Sequence, residues 1–339
     1  MKKLLCMLLA VALVVVCSCS HPKPEKNEKP LIGISMCSLL IERWYKDREA
    51  LAAEFSRLGA TAIIQNANND SALQAEQIDD LISRGVDALI VIPVNYGALT
   101  EQLSRAKHQG ISIIAYERLV EDVDIDAYYS FDNVRVGELL ALGLLAGMDE
   151  GSIMIINGDE NDFNSVLYRQ GYMNILQPHL DSGRIKIVKD VSSPNWEVES
   201  AYNAVESALR TGIKIDGIIA TNDSLAGAAI QVLLEKGIAD STVVVGQDGD
   251  LAAYQRIVEG VQFATVYKPY DELAECAALA AYRLSIGRPF AYTDKIDNGF
   301  SDVKYYKVGS QLVTAENIDE IVIGGGVYSE EEVYMNVMM

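Results

Sequence analysis

From Leu31 onward the chain alternates short aliphatic runs with longer amphipathic stretches, the pattern of a parallel sheet covered by helices. The runs Leu31–Ser35, Ala62–Gln65, Ala88–Pro93 and Ile111–Tyr116 are rich in Ile and Val, as strands buried on both faces need to be. Between them Leu51, Phe55 and Leu58 share one helical face at i, i+4 and i+7, as do Ala75, Ile78 and Ile82. Gly59, Gly85, Gly110 and Gly237 each stand just before a strand, where a helix can end in a left-handed cap. The pattern then begins again. Ser152–Asn157, Ile185–Val191, Gly217–Ala220 and Val243–Gly246 read as a second set of strands, with a helix between them carrying Leu225, Ala229, Val232 and Leu233 on one face.

Two halves of similar size predict two lobes. Material is left over once both are complete: a strand at Phe263–Val266, an Ala-rich helix from Asp271 to Ile286 and a short strand at Ile321–Ile323. It is best used by returning to the first lobe and crossing once more. The expected fold is therefore α/β, two Rossmann-like lobes with parallel sheets joined by three crossing hinge segments. The crossings are expected near Phe131-Asp132, Tyr267-Lys268 and Phe300-Ser301. The first lobe then takes residues 31–131 and 268–300, the second 132–267 and 301–325, and 326–339 form a tail for which the sequence offers no role.

Composition bears chiefly on what surrounds this domain. Half of the 339 residues are hydrophobic and 22% are charged, so the chain can bury a full core. Its net charge of −20, from 28 Lys+Arg against 48 Asp+Glu, argues against nucleic acid and against electrostatic docking on anionic lipid. Membrane contact must come from an anchor. Lys2 and Lys3 precede an apolar run from Leu4 to Val16, too short to span a bilayer comfortably but suited to a secretory signal. Val16-Cys17-Ser18-Cys19 resembles a bacterial lipobox, with an aliphatic residue three before Cys19 and a small one directly before it. The expectation is a signal peptide at 1–18, lipidated Cys19, and a polar tether at 19–30. Cys37 and Cys276 fit no metal or redox spacing and read as two buried thiols, with a disulfide left open. His21, His108 and His179 are too few for a metal site or a catalytic triad.

In open α/β sheets ligands sit beyond the carboxyl ends of the strands. Glu42-Arg43-Trp44 follows the first strand and Glu117-Arg118 the fourth. In the second half Asn222-Asp223 and Gln247-Asp248 stand in corresponding places. Guanidinium forks, amides and carboxylates suit the hydroxyl pairs of a sugar, and Trp offers a flat face to its ring. No phosphate-binding glycine loop follows any of these strands, so no nucleotide cofactor is expected. Arg43 and Asp47 equally suit a surface ion pair of small worth, and Trp44 and Trp196 suit an ordinary core.

Seven segments make the reading specific. IERWYKDRE (41–49), RGVDALIVIPVN (84–95), AYERL (115–119), SFDNVRVGEL (130–139), ATNDSLAGAAIQ (220–231), GQDGDLA (246–252) and TVYKP (265–269) resemble bacterial D-xylose-binding proteins. The similarity runs from Leu31 to about Ile323. That family is the periplasmic component of ABC sugar import, and the resemblance implies a type I binding protein with two lobes and three crossings. It also implies ligand contacts at Arg43, Trp44, Glu117 and Arg118 in the first lobe. Asn164, Trp196, Asn222 and Asp248 would serve from the second, and Lys268 from the hinge. Two places depart from the family: Glu117 stands for the usual aspartate before the arginine, and Cys37-Ser38 for acidic residues before the RW motif. Sugar binding is thus implied more firmly than the pentose, and a smaller, larger or epimeric sugar stays open.

The implied protein is a monomeric receptor that passes its sugar to a membrane ABC permease; the alternative is a sensor addressing a histidine kinase or chemoreceptor. A repressor is disfavoured by the export signal and by the lack of a helix-turn-helix before Leu31. A sugar-cleaving enzyme is disfavoured because no nucleophile–base pairing stands at the strand ends.

Overall fold

The order in which strands join decides where a ligand can sit. In the computed structural model, which describes residues 29–337, two sheets form. The signal peptide, Cys19 and the tether up to residue 28 lie outside the described residues. The first sheet starts with β1 (Leu31–Met36), α1 (Glu42–Leu58), β2 (Thr61–Asn66), α2 (Ser71–Ser83), β3 (Ala88–Val91), α3 (Thr100–His108), β4 (Ser112–Tyr116) and β5 (Ala127–Phe131). α4 (Asn133–Gly147), β6 (Gly151–Asn157), α5 (Phe163–Asp181), β7 (Ile185–Ser192), α6 (Val198–Arg210) and β8 (Gly217–Ala220) begin the second lobe. α7 (Asp223–Glu235), β9 (Val243–Asp248), α8 (Leu251–Val258) and β10 (Ala264–Tyr267) complete its parallel part. α9 (Tyr270–Ser285), β11 (Asp294–Asp297), β12 (Asp302–Val308), β13 (Gln311–Thr314) and α10 (Glu330–Val333) follow.

The first sheet runs β11-β12-β5-β4-β3-β1-β2 and the second β13-β10-β9-β8-β6-β7. All pairings are parallel except β11 with β12 and β13 with β10. Each lobe starts in its second position and reverses direction there, so a crevice opens between β1 and β3 and between β6 and β8, the switch points at which ligands bind. The first sheet has α1 and α9 on one face, where Ile32 and Ile34 meet Leu51, Phe55 and Leu273, and α2 and α3 on the other, where Leu89 and Val91 meet Ile78, Leu81 and Leu103. The second is covered by α4 and α5 on one face and α6 and α7 on the other. Gly137 and Gly171 let α4 and α5 touch backbone to backbone: a Cβ on Gly137 would stand 2.1 Å from the Tyr168 carbonyl oxygen.

The chain crosses between the sheets at Asp132, between Tyr267 and Tyr270, and between Val308 and Gln311. The last of these differs from the crossing expected near Phe300-Ser301, so residues 301–308 belong with the first lobe. β12 pairs in parallel with β5, and Tyr305 stacks on Tyr128 (4.6 Å) and Tyr306 on Tyr129 (5.2 Å). Asn298 pins the preceding turn to that lobe by donating to the Val120 and Val123 carbonyls. The strand expected at Ile321–Ile323 is instead a wide helical turn over Asp319–Ile323, where the Gly324 N–H donates to the Asp319 carbonyl at 2.8 Å. Cys37 and Cys276 are both free, the first buried and the second half-buried.

Candidate ligand-binding site

A cavity of about 620 Å³ lies between the lobes, walled by residues beyond the carboxyl ends of strands from both sheets. All nine residues singled out in the sequence, Arg43, Trp44, Glu117, Arg118, Asn164, Trp196, Asn222, Asp248 and Lys268, line it.

In the first lobe the switch point supplies α1, whose first turn carries Arg43 and Trp44. Arg43 pairs with Asp47 one turn on, but the pair is buried rather than on the surface, and Tyr116 donates its hydroxyl to the same carboxylate. Arg43 Nη1 lies 3.6 Å from Asp248 across the cleft and has no hydrogen-bond partner among the described residues. Burial works against the Arg43 charge, but Asp47, Asp248 and Glu117 outweigh it and raise its pKa. The Arg118 guanidinium stands 5.2 Å over the Trp44 ring, with Nε 2.7 Å from Asp162 Oδ2.

Glu117 sits in the left-handed region at φ 60°, which costs a non-glycine residue about 1–3 kcal/mol. Its backbone is held there by four bonds, one of them from Asn164 Nδ2 to its carbonyl at 3.2 Å. Tyr128 Oη and Ser130 Oγ donate to its carbonyl at 2.8 and 2.7 Å, and its own N–H donates to the Tyr129 carbonyl at 2.8 Å. The carboxylate accepts from Asn164 Nδ2 at 3.0 Å and Lys268 Nζ at 3.1 Å. Burial opposes its ionisation, yet Lys268, Arg43 and Arg118 prevail and hold its pKa below the ordinary value.

In the second lobe Asp162 caps α5, accepting from the Asn164 N–H at 3.0 Å, and also accepts from Trp196 Nε1 at 3.1 Å. Burial pushes its pKa up to about 6, although Arg118 pulls the other way. Trp196, at φ 60°, lies against Gly158, where any Cβ would fall 2.1 Å from the indole. Asn222 caps α7 with its amide oxygen, so its NH2 is the group it can offer a ligand. Asp248, at φ 116°, is presented by a turn that Asp223 fixes, accepting from the Gly249 and Asp250 N–H groups at 3.0 and 3.1 Å and from Thr265 Oγ1 at 2.7 Å. Lys268, 1% exposed in the second crossing, ties the lips together, 3.1 Å from Glu117 on one side and 2.9 Å from Asp248 and 3.3 Å from Tyr168 Oη on the other.

Asp162 and Tyr168 escaped the sequence reading. Asp162 stands beside Asn164 in NDFNS, and an Asp two residues before a helical Asn reads first as a cap, which it also is. Tyr168 lies a turn further along α5, where its ring looks like core. Among the described residues no group of acidic, His or Cys side chains is placed to hold a metal, and no described helix is long and apolar enough to cross a membrane.

Two α/β lobes, three crossings and a polar cavity shared between the facing switch points define a two-lobed ligand-binding receptor. A model of the periplasmic binding protein domain matches residues 32–289, and the chain belongs to that family, with the periplasmic location the family carries. It is 38% identical over 327 residues to the D-xylose-binding periplasmic protein of Haemophilus influenzae, covering 96% of this chain and 97% of that one. It is likewise 38% identical over 325 residues to the Escherichia coli protein of the same name, again with 96% and 97% covered. Among solved structures, a carbohydrate transporter solute-binding protein of Chloroflexus aurantiacus in complex with D-glucose superposes with a TM-score of 0.85 at 25% identity, over 90% of this chain and 98% of that one. An ABC transporter solute-binding protein of Clostridium phytofermentans with bound β-D-glucose gives 0.83 at 27% identity, over 89% and 99%.

Proposed function

We propose that the protein is a periplasmic sugar receptor, with D-xylose or a related small aldose as its ligand, that closes around the sugar and presents it to an ABC permease. One observation carries this reading: each cation lining the cavity, Arg43, Arg118 and Lys268, already faces a buried carboxylate. An anionic ligand would set its charge against these buried carboxylates with no unpaired cation among the described lining residues to meet it, which is costly at such depth. A neutral polyol would not. Its hydroxyls both donate and accept, so they can sit between matched donors and acceptors, while Trp44 and Trp196 offer apolar faces to the ring. The named ligand of the 38%-identical relatives supports xylose over other aldoses.

In this reading the nine residues above contact the sugar, and the sugar leaves chemically unchanged. Ligand contacts made to both lobes favour the closed arrangement by population shift. The protein works as a monomer held to the membrane only by lipid on Cys19. Calorimetric titration of the purified protein against a panel of pentoses and hexoses tests the ligand: xylose is expected to bind with Kd of about 1 μM or tighter. Absence of association with every aldose in the panel overturns the reading. Release of labelled protein from cells by a Cys19→Ala substitution tests the anchor.

A further inference from the structure

Outside the cavity the lobes meet at Tyr96 with Asn161 and Phe163, and again through the C-terminal segment. That segment is fixed to the second lobe: Val333 of α10 is buried with Val322, Ile318 and Tyr254, and Gln255 Nε2 of α8 donates to the Glu332 carbonyl at 2.9 Å. Ser329 starts α10 with a reciprocal cap to Glu332. Directly before it, Tyr328 reaches the first lobe. Its hydroxyl donates to Glu42 Oε1 at 3.1 Å and accepts from Lys46 Nζ. The Lys46 ammonium stands 4.1 Å from the centre of the Tyr328 ring and 2.7 Å from Glu42, and the ring packs edge-to-face with Tyr254, their centres 5.8 Å apart. Glu42 and Lys46 lie on the opening turns of α1, the turns that carry Arg43 and Trp44 into the cavity.

We propose that Tyr328, gripping Lys46 and Glu42, is an interlobe clasp: a positioning residue that holds the first turn of α1 against the second lobe and slows release of the bound sugar. A contact between lobes stabilises only the arrangement in which it forms, so it multiplies the closed population by the same factor whatever sugar lies inside. Its signature is therefore a faster off-rate with unchanged selectivity. The ligand readout rests on the sugar-receptor reading; the clasp itself does not.

Stopped-flow fluorescence of the purified protein tests it. Tyr328→Ala is expected to raise the xylose dissociation rate about tenfold, with association within twofold and the ratio of affinities across the sugar panel unchanged. Tyr328→Phe, which keeps the ring, falls between, at about threefold. Lys46→Ala attacks the clasp from the first lobe and leaves the C-terminal packing intact. It should match Tyr328→Ala, and the double variant should release no faster than either single one. Dissociation within twofold of wild type in Lys46→Ala, or additive rates in the double variant, overturns the clasp. If wild type binds no aldose, the sugar reading fails and the clasp is read by X-ray scattering instead. Lys46→Ala should then have a larger radius of gyration than wild type, and equal radii overturn it.

Discussion

The two lips of the cavity carry opposite chemistry. The first lobe presents guanidinium groups, Arg43 and Arg118, both lying against the Trp44 ring. The second presents carboxylates and amides, Asp162, Asp248, Asn164 and Asn222. They meet in register, Arg118 with Asp162 at 2.7 Å and Arg43 with Asp248 at 3.6 Å. Glu117 is the buried exception in the first lip, and it is answered by Lys268 from the second crossing and by Asn164 opposite. Closure therefore matches charge across the cleft, which gives the two lobes one orientation and leaves a ligand to supply neutral hydrogen bonds. The backbone strain is shared as well: Glu117 in one lip, and Trp196 and Asp248 in the other, occupy left-handed conformations that aim their side chains inward.

The most severe way to break this match is to remove the guanidinium whose counterion makes no second ion pair among the described residues. Arg118→Ala takes from buried Asp162 its ion-pair partner and leaves it only the Trp196 Nε1 and Asn164 N–H donors, a change of the kind that costs about 3–5 kcal/mol of stability; with the cation over Trp44 also gone, sugar affinity should fall by about 100-fold. Calorimetric titration measures it. Arg118→Lys should recover only part, since an ammonium cannot both reach the carboxylate and lie flat on Trp44. Adding Asp162→Asn to Arg118→Ala should restore thermal stability without restoring affinity.

The corresponding cut in the second lip should hurt less. Asp248→Asn takes a partner from Arg43 and Lys268, but Arg43 keeps Asp47 and Lys268 keeps Glu117. Titration is expected to show a loss of about 10-fold. A loss larger than that of Arg118→Ala would mean that the two lips are not organised as described.

Acid separates the lips without any mutation. Burial has raised Asp162 and Asp223 to about 6, whereas three cations hold Glu117 below its ordinary value. On acidification Asp162 is therefore protonated before Glu117. An aspartic acid that must give up an acceptor site binds a hydroxyl donor less well, so affinity should fall about tenfold per pH unit below 6 and be flat above 7. Folding goes the other way. A group whose folded pKa is raised contributes stability that is complete below its unfolded value and is lost as pH rises through the folded one, so these two carboxyls favour the fold more at pH 5 than at pH 7. Glu117 opposes this only at lower pH, its contribution being present above its unfolded value and lost as pH falls through the folded one. Titration and thermal unfolding across pH 5–8 should thus move in opposite directions. Asp162→Asn should flatten most of the affinity profile.

Strands made of Ile and Val were legible because a buried parallel strand has little else to be made of: β1, β3, β6, β8 and β9 all stand where the aliphatic runs fall. β5 and β12 were harder. Their buried faces are tyrosines, which composition alone allots equally to a surface, and the lobe that β12 joins is decided by its stacking on β5, far away in sequence. Ile321–Ile323 was misread because three apolar residues carry no period. The site was legible to the extent that it sits directly after strands, as Arg43, Glu117, Asn222 and Asp248 do. Asp162 was not, and Asp223 was legible as a strand-end residue but not as the support of the Asp248 turn, since each acts partly through backbone N–H groups that only the folded turn brings to it.

Glu117 offers the finest test, because it is where the first lip borrows the chemistry of the second. Its carboxylate spans the cavity to reach Lys268 at 3.1 Å and Asn164 at 3.0 Å, and both of these are fixed, Lys268 by Asp248 and Asn164 by Asn133, which donates to its amide oxygen at 2.7 Å. Glu117→Asp withdraws the carboxylate by one methylene while the strained backbone stays pinned by Tyr128 and Ser130. Aspartate is the residue usual at this place in the D-xylose-binding proteins that the sequence resembles, so the shorter side chain is expected to favour xylose over a sugar with an additional hydroxymethyl group. One methylene in a fitted pocket is worth about 1–3 kcal/mol of discrimination, and because Lys268 can follow the carboxylate partway the lower end applies. The expected outcome is a change of about fivefold in the ratio of xylose to glucose affinity, in favour of xylose, with the unfolding midpoint little altered. An unchanged ratio would place the sugar away from Glu117, and Arg43 and Arg118 would then be the whole of the first lip's contribution.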